Sequence, residues 1–201
     1  MNKSAEDSLA IRELVENWVV WRDAGLWDKF RTVWHEDGVM QATWTQGTVD
    51  EFIEMSVAGF NKGVRIHHFL GGHASEISGD RAIGQTKMTI NQRAIVHDVE
   101  VDVACTGRFY DFIERRSGRW GIVLRQPIYE IDRMTVVDPN QTVDLDNALL
   151  EQFPYGYRHL AYLQTLIGYD VLKTMPGLTG PEVDALYARG QAWLEGADSP
   201  Y

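Results

Sequence analysis

The sequence predicts an α+β fold. A curved, mostly antiparallel sheet packs on N-terminal helices and is followed by a helical C-terminal extension. Three observations predict it. Apolar residues recur at helical spacing from Ile11 to Phe60. Four long runs of period two then follow, joined by tight-turn signals. Beyond Pro139 the helical pattern returns.

Ser4 or Asp7 is the expected cap of a first helix, along which Ile11, Leu14, Val15, Trp18, Val19 and Trp21 repeat. Gly25 is a natural stop for it. Trp27, Phe30, Val33 and Trp34 predict a short second helix. His35-Glu36-Asp37-Gly38 reads as a turn, and residues 39–44 as a strand. Thr48 is the expected cap of a third helix through Phe52, Ile53, Met55, Val57 and Phe60, ended by Lys62-Gly63.

From Arg65 the period changes. Ser78-Gly79-Asp80, His97-Asp98 and Ser117-Gly118 separate the runs 66–77, 81–95, 99–115 and 119–134. In the third run Val99, Val101, Val103, Cys105 and Phe109 alternate with Glu100, Asp102, Thr106 and Arg108. These are four consecutive antiparallel strands. Residues 136–140 break the pattern, which divides the chain into a domain over 1–137 and an extension over 138–201. Helices are expected over 143–153, 157–175 and 181–194, with Pro181 in the first turn of the last. The extension would cover the sheet of its own domain or that of a partner subunit. A sheet that curls leaves a cone-shaped space against the helices, and apolar cavities with a few polar groups are the usual ligand sites.

Composition narrows the function. A chain of 201 residues fits one domain with an extension. With 44% hydrophobic and 24% charged residues it is no disordered chain. A net charge of −10 without a basic cluster argues against nucleic acid. Cys105 is the only cysteine, so neither an intrachain disulfide nor a Cys-based zinc cluster can form. The first residues lack the apolar core of a signal peptide, and no stretch nears the roughly 18 apolar residues of a membrane span. Cytoplasmic residence, with no membrane partner, is the expectation.

Asp23 continues the apolar face of the first helix one turn beyond Val19 and Val20, and a charge there needs a partner. Solvent, Arg22, Lys29 or a histidine could serve. His67, His68 and His73 lie in the first strand run. A carboxylate that orients an imidazole is a minimal general-base unit. In a regular strand His67 and His73 face away from His68. That alternation, with no fixed His/carboxylate motif, argues against a metal. Arg125, inside an apolar strand, is either a stabiliser of negative charge or half of a buried ion pair. Tyr129 shares its face in a regular strand and could donate a hydrogen bond, although Pro127 interrupts the register. Lys87, Asn91 and Arg93 read as a solvated face. Trp44, Phe69, Met88 and Ile90 are either pocket walls or core, and Cys105 is inert core.

Three segments carry a resemblance. They are residues 21–28 (WRDAGLWD), residues 67–72 (HHFLGG) followed by 76–82 (EISGDRA), and residues 107–120 (GRFYDFIERRSGRW). In this order the chain resembles the SnoaL-like group of the nuclear transport factor 2-like (NTF2-like) superfamily over residues 5–135. The resemblance implies a cone-shaped α+β barrel. It implies that an Asp on the first helix orients a His at the mouth of the first long strand. Asp23 and His68 stand at those positions, His68 being eight residues before Glu76. Gly72 departs from the pattern, since the family often has Asn there.

The superfamily holds cofactor-free dehydratases, dehydrochlorinases, cyclases, isomerases and lyases, and also non-catalytic modules, so fold alone does not decide function. The expected function is a cofactor-independent lyase acting on a small apolar, aromatic or polycyclic substrate. His68 would remove a proton, and dehydration, another β-elimination or a retro-aldol cleavage such as deformylation would follow. Arg125 or Tyr129 would steady the developing charge, with Trp44, Phe69, Met88 and Ile90 as substrate-binding walls. The alternatives are a non-catalytic binding or assembly module and a polyketide cyclase or isomerase. The resemblance implies a homodimer or homotrimer and no cofactor.

Overall fold

The computed structural model describes residues 3–201. Helix α1 spans Lys3–Asp23, α2 Trp27–Arg31 and α3 Val49–Asn61. The strands are β1 Trp34–Gln41, β2 Gln46–Thr48, β3 Ile66–Ser78, β4 Arg81–Val96, β5 Val99–Arg116 and β6 Arg119–Val136. The C-terminal segment adds α4 Asn147–Leu150, α5 Arg158–Leu166 and α6 Pro181–Glu195. Among these described residues no helix is long and apolar enough to cross a membrane.

The strands form one curved, unclosed sheet in the order β2-β1-β6-β5-β4-β3. Every pairing is antiparallel except β1 with β6. Its inner face packs on α1, α2, α3 and α5 around Trp18, Phe30, Phe52, Phe109, Leu160 and Tyr162. Burying each of these large side chains contributes about 1.5–3 kcal/mol. The outer face carries α6, whose Val183, Leu186 and Trp193 cover Ile83, Phe112, Val123 and Leu124. The C-terminal segment thus touches both faces of the sheet in its own chain.

Local chemistry explains most element ends. Thr48 caps α3 through a capping box with Glu51. Gly25, at φ 69°, turns the chain after α1. The β4–β5 turn places His97 and Asp98 at φ 49° and 64°, the left-handed pair that a two-residue hairpin requires.

Four expectations are corrected. Neither Ser4 nor Asp7 caps α1, because both lie inside the helix, which already includes Lys3. Asp7 instead accepts from Arg115 Nη1 at 2.8 Å and Trp120 Nε1 at 3.0 Å, tying α1 to the β5–β6 hairpin. Val33 and Trp34 leave the second helix because the Val33 carbonyl accepts from Ile122 N–H. The expected turn at residues 35–38 is a bulge inside β1: Trp34 pairs with Ile122 and Val39 with Leu124. Finally, the two long helices expected over 143–153 and 157–175 shrink to α4 and α5. After Gly168 the chain unwinds, and Leu172 N–H donates to the Thr43 carbonyl at 2.8 Å. Tertiary hydrogen bonds there replace helical ones.

Candidate active site

The last residue of α1 meets the start of β3. Asp23 Oδ2 accepts from the backbone N–H of His68 at 2.6 Å, and Oδ1 lies 2.8 Å from His68 Nδ1. One carboxylate therefore fixes both the strand and the ring. Burial pushes the Asp23 carboxyl up, but the hydrogen bonds and charge of His68, with Arg22, outweigh it and hold the pKa below the ordinary 3.8. Asp23 is thus an ionised acceptor. The proton between the pair rests on Nδ1, which leaves Nε2 with its lone pair. Burial lowers the pKa of His68 below 6.5, against the opposing pull of Asp23, so the imidazole is neutral at pH 7. The His68 ring stands edge-on to Trp18 at 5.3 Å and lies 5.8 Å from Phe109.

His68 lines an inner chamber with Trp18, Phe52, Ile90, Phe109 and Tyr129. An outer chamber is lined by Trp27, Phe60, Val64, Ile167 and Tyr169. Arg22, Trp44, Ile66, Gln92 and Gln164 line both, so the chambers adjoin. The C-terminal segment completes the walls: Leu160 and Gln164 come from α5, and Tyr169 packs on Trp44 at 5.2 Å. Thr43 Oγ1 donates to Gln164 Oε1 at 2.7 Å, which ties α5 to the loop before β2.

Trp44, Ile90 and Tyr129 line the inner chamber. Burial pushes the Tyr129 phenol well up, outweighing the opposing hydrogen bonds with Thr43, so it is a donor at any ordinary pH. Phe69 is a correction. It is the strand neighbour of His68, points to the outer face and is 74% exposed. Met88 is another: it pairs with Leu70 and packs in the core without lining either chamber.

Arg125 is the third. Its guanidinium donates to both oxygens of Asp111, at 2.6 and 2.8 Å, and both side chains are fully buried. It lies 3.9 Å over the ring of Phe109 and 4.3 Å over that of Trp18. It therefore backs the two rings that flank His68 and does not reach the cavity.

The histidines do not converge. A register shift between Leu70 and His73, at Gly71-Gly72, reverses the strand's parity. His73 consequently joins the inner face, against the regular-strand expectation, and its Nδ1 lies 2.7 Å from Thr86 Oγ1. His67 stays on the outer face. Among the described residues no cluster of three or more His, Cys, Asp or Glu side chains could hold a metal ion.

Asp132 and His159 repeat the two-point geometry, at 2.6 and 2.8 Å. Asp132 also accepts from Leu160 N–H at 2.9 Å, so that pair anchors the start of α5, and it lines neither chamber. It is the cavity, and not the Asp–His contact alone, that marks Asp23 and His68. Sequence reasoning treated Arg22 only as a partner for Asp23 and passed over Gln92 and Gln164. Alternation along β4 places Gln92 inward with Ile90, a signal that could have found it. Nothing local marks Gln164.

The chain matches the family model of the SnoaL-like domain over residues 3–126 and belongs to that family. It is 36% identical over 203 residues to pea pathogenicity protein 2 of Fusarium vanettenii, an alignment spanning 96% of this chain and 87% of that protein. Its fold is similar to that of hexachlorocyclohexane dehydrochlorinase LinA-type3 from Novosphingobium barchaimii, with a TM-score of 0.55 at 15% identity over 71% of this chain and 97% of that one. A type 2 LinA dehydrochlorinase gives a TM-score of 0.57 at 12% identity over 70% and 95%. The architecture is the NTF2-like cone.

Proposed function

We propose that this protein is a cofactor-independent lyase acting on a small, apolar, ring-bearing molecule held in the two-chambered cavity. One observation carries the reading: in an apolar chamber, the Asp23 carboxylate holds Nδ1 of His68 at 2.8 Å. Nε2 of the neutral ring takes a proton from the substrate, and Asp23 stabilises the imidazolium that forms. The electron pair left behind expels a leaving group at the adjacent carbon. If the proton comes from a hydroxyl, a retro-aldol C–C cleavage follows instead. Tyr129 donates its phenolic hydrogen to an oxygen of the substrate. The dehydrochlorinases of similar fold are named for an elimination of this type, which supports the reading.

The test is turnover of hydroxylated and methoxylated aromatics by the wild type, His68→Gln and Asp23→Asn, with dehydration and formaldehyde release followed in parallel. Loss of the base is expected to lower the rate by roughly 10²–10⁴. A folded His68→Gln protein with full turnover would remove His68 as the base, and a wild type without turnover would leave a binding module as the better reading.

A further inference from the structure

At the join of the two chambers, Arg22 is charged, buried and short of partners. It is 8% exposed. Its hydrogen bond runs from Nη1 to Asp23 Oδ1 at 3.5 Å, a long contact to an oxygen that already lies 2.8 Å from His68 Nδ1. Its Nε is buried and has no partner among the described residues. A guanidinium keeps its proton, so it cannot relieve this burial by turning neutral. Arg125 is paired more tightly, with two short contacts to Asp111, although its Nη1 also lacks a partner among the described residues.

Two further polar side chains line these chambers, and the Ser56 hydroxyl has no partner among the described residues. The buried Ser56 hydroxyl lines the outer chamber. The Gln92 amide lines both chambers and is 4% exposed as a residue. Buried donors without partners around one cavity call for an acceptor brought by the ligand.

Charge balance says what kind of acceptor. With His68 neutral, Arg22 and Asp23 cancel. A neutral ligand that gives its proton to His68 creates an imidazolium and an anion together. The first then belongs to Asp23 and the second to Arg22. Donors set out in this way stabilise an oxyanion.

We propose that Arg22, with Gln92, is the oxyanion-binding group of this site. The substrate then carries a carbonyl oxygen conjugated to the carbon that His68 deprotonates. This inference rests on the acid–base reading above. In the step, the C–H pair becomes the C=C bond and the carbonyl π pair moves onto oxygen. The proton goes to Nε2, and no oxidant or reductant takes part. The return of the electrons expels the group on the β carbon.

The probe is 4-nitrophenolate, a stable mimic of an enolate, titrated into the full-length protein above the dye's own ionisation. Its ether 4-nitroanisole serves as the form that cannot carry charge. The wild type is expected to prefer the phenolate. Arg22→Met is expected to weaken phenolate binding by at least about tenfold, the effect of one charge-assisted hydrogen bond, and to leave the ether unchanged. Arg22→Lys should fall between. Equal phenolate binding by Arg22→Met, or a wild type without preference for the phenolate, overturns the inference. The wild-type comparison decides alone if Arg22→Met does not fold. Phenolate binding retained in His68→Gln supports the role of Arg22, whereas turnover retained in His68→Gln defeats the base. The two readings therefore fail separately.

Discussion

A neutral imidazole buried beside a carboxylate makes this protein sensitive to acid in a defined direction. The folded pKa of His68 lies below its ordinary 6.5 because burial penalises the charged ring. Its contribution to stability is therefore complete above pH 6.5 and is lost as pH falls through the folded value. Asp23, held below 3.8, contributes above that value and fails only in stronger acid. The expected outcome is a melting temperature that drops on acidification below pH 6.5, and a drop that is smaller in His68→Gln. The acid limb of activity should lie below 6.5 as well. Asp23→Asn removes the group that raises the His68 pKa, so the limb should move further down while the maximal rate falls. A pH–rate profile with ring-proton NMR would show both. An acid limb at or above 6.5 would contradict this reading.

At the level of elements, the placement of α5 controls the cavity. The turn before α5 lies against β6 at Gly156, where an added Cβ would come within 2.2 Å of the Tyr129 carbonyl oxygen. Only a glycine lets the turn lie so close to the backbone of a strand that also supplies Tyr129 to the inner chamber. Gly156→Ala is expected to push α5 away from β6 and to cost about 1–3 kcal/mol, as overpacking usually does. Urea denaturation measures the loss. Ligand affinity should fall with it, because Leu160 and Gln164 move with α5. An unchanged unfolding midpoint would mean that the turn has room to adjust.

At the level of the whole molecule, α6 covers part of the outer sheet face and leaves another part open. The open part includes a row that runs across four strands, Phe69–Thr89–Thr106–Ile131. Phe69 is 74% and Ile131 52% exposed. Exposed apolar side chains in such a row are a feature of association surfaces. We propose that copies of the chain meet here, as the expected homodimer or homotrimer requires. Light scattering of the wild type should give two or three chain masses, and Phe69→Glu should give one. A monomeric wild type removes the proposal. The family model ends at residue 126, yet Leu160, Gln164 and Tyr169 finish the cavity walls. The segment outside the shared domain therefore shapes the ligand space.

What the sequence determined by itself is local. Thr48 and Glu51 define a helix start through contacts three residues apart. Ser78-Gly79 and Ser117-Gly118 place hairpins because few residues accept their backbone angles. The period-two runs between them name the strands. The pairing of Asp23 with His68 was legible through the family resemblance and the order of the segments. The tertiary structure decided whatever depends on register and on distant partners. The bulge at Gly71-Gly72 turned His73 inward, and the bulge in β1 took up residues 35–38. Asp111, fourteen residues before Arg125 but directly across the β5–β6 ladder, claimed that guanidinium for the core. Arg22 gained its significance only when α1, β4 and α5 closed around it. A side chain's spacing sets the face it occupies; whether its charge is satisfied there depends on groups that only folding brings near.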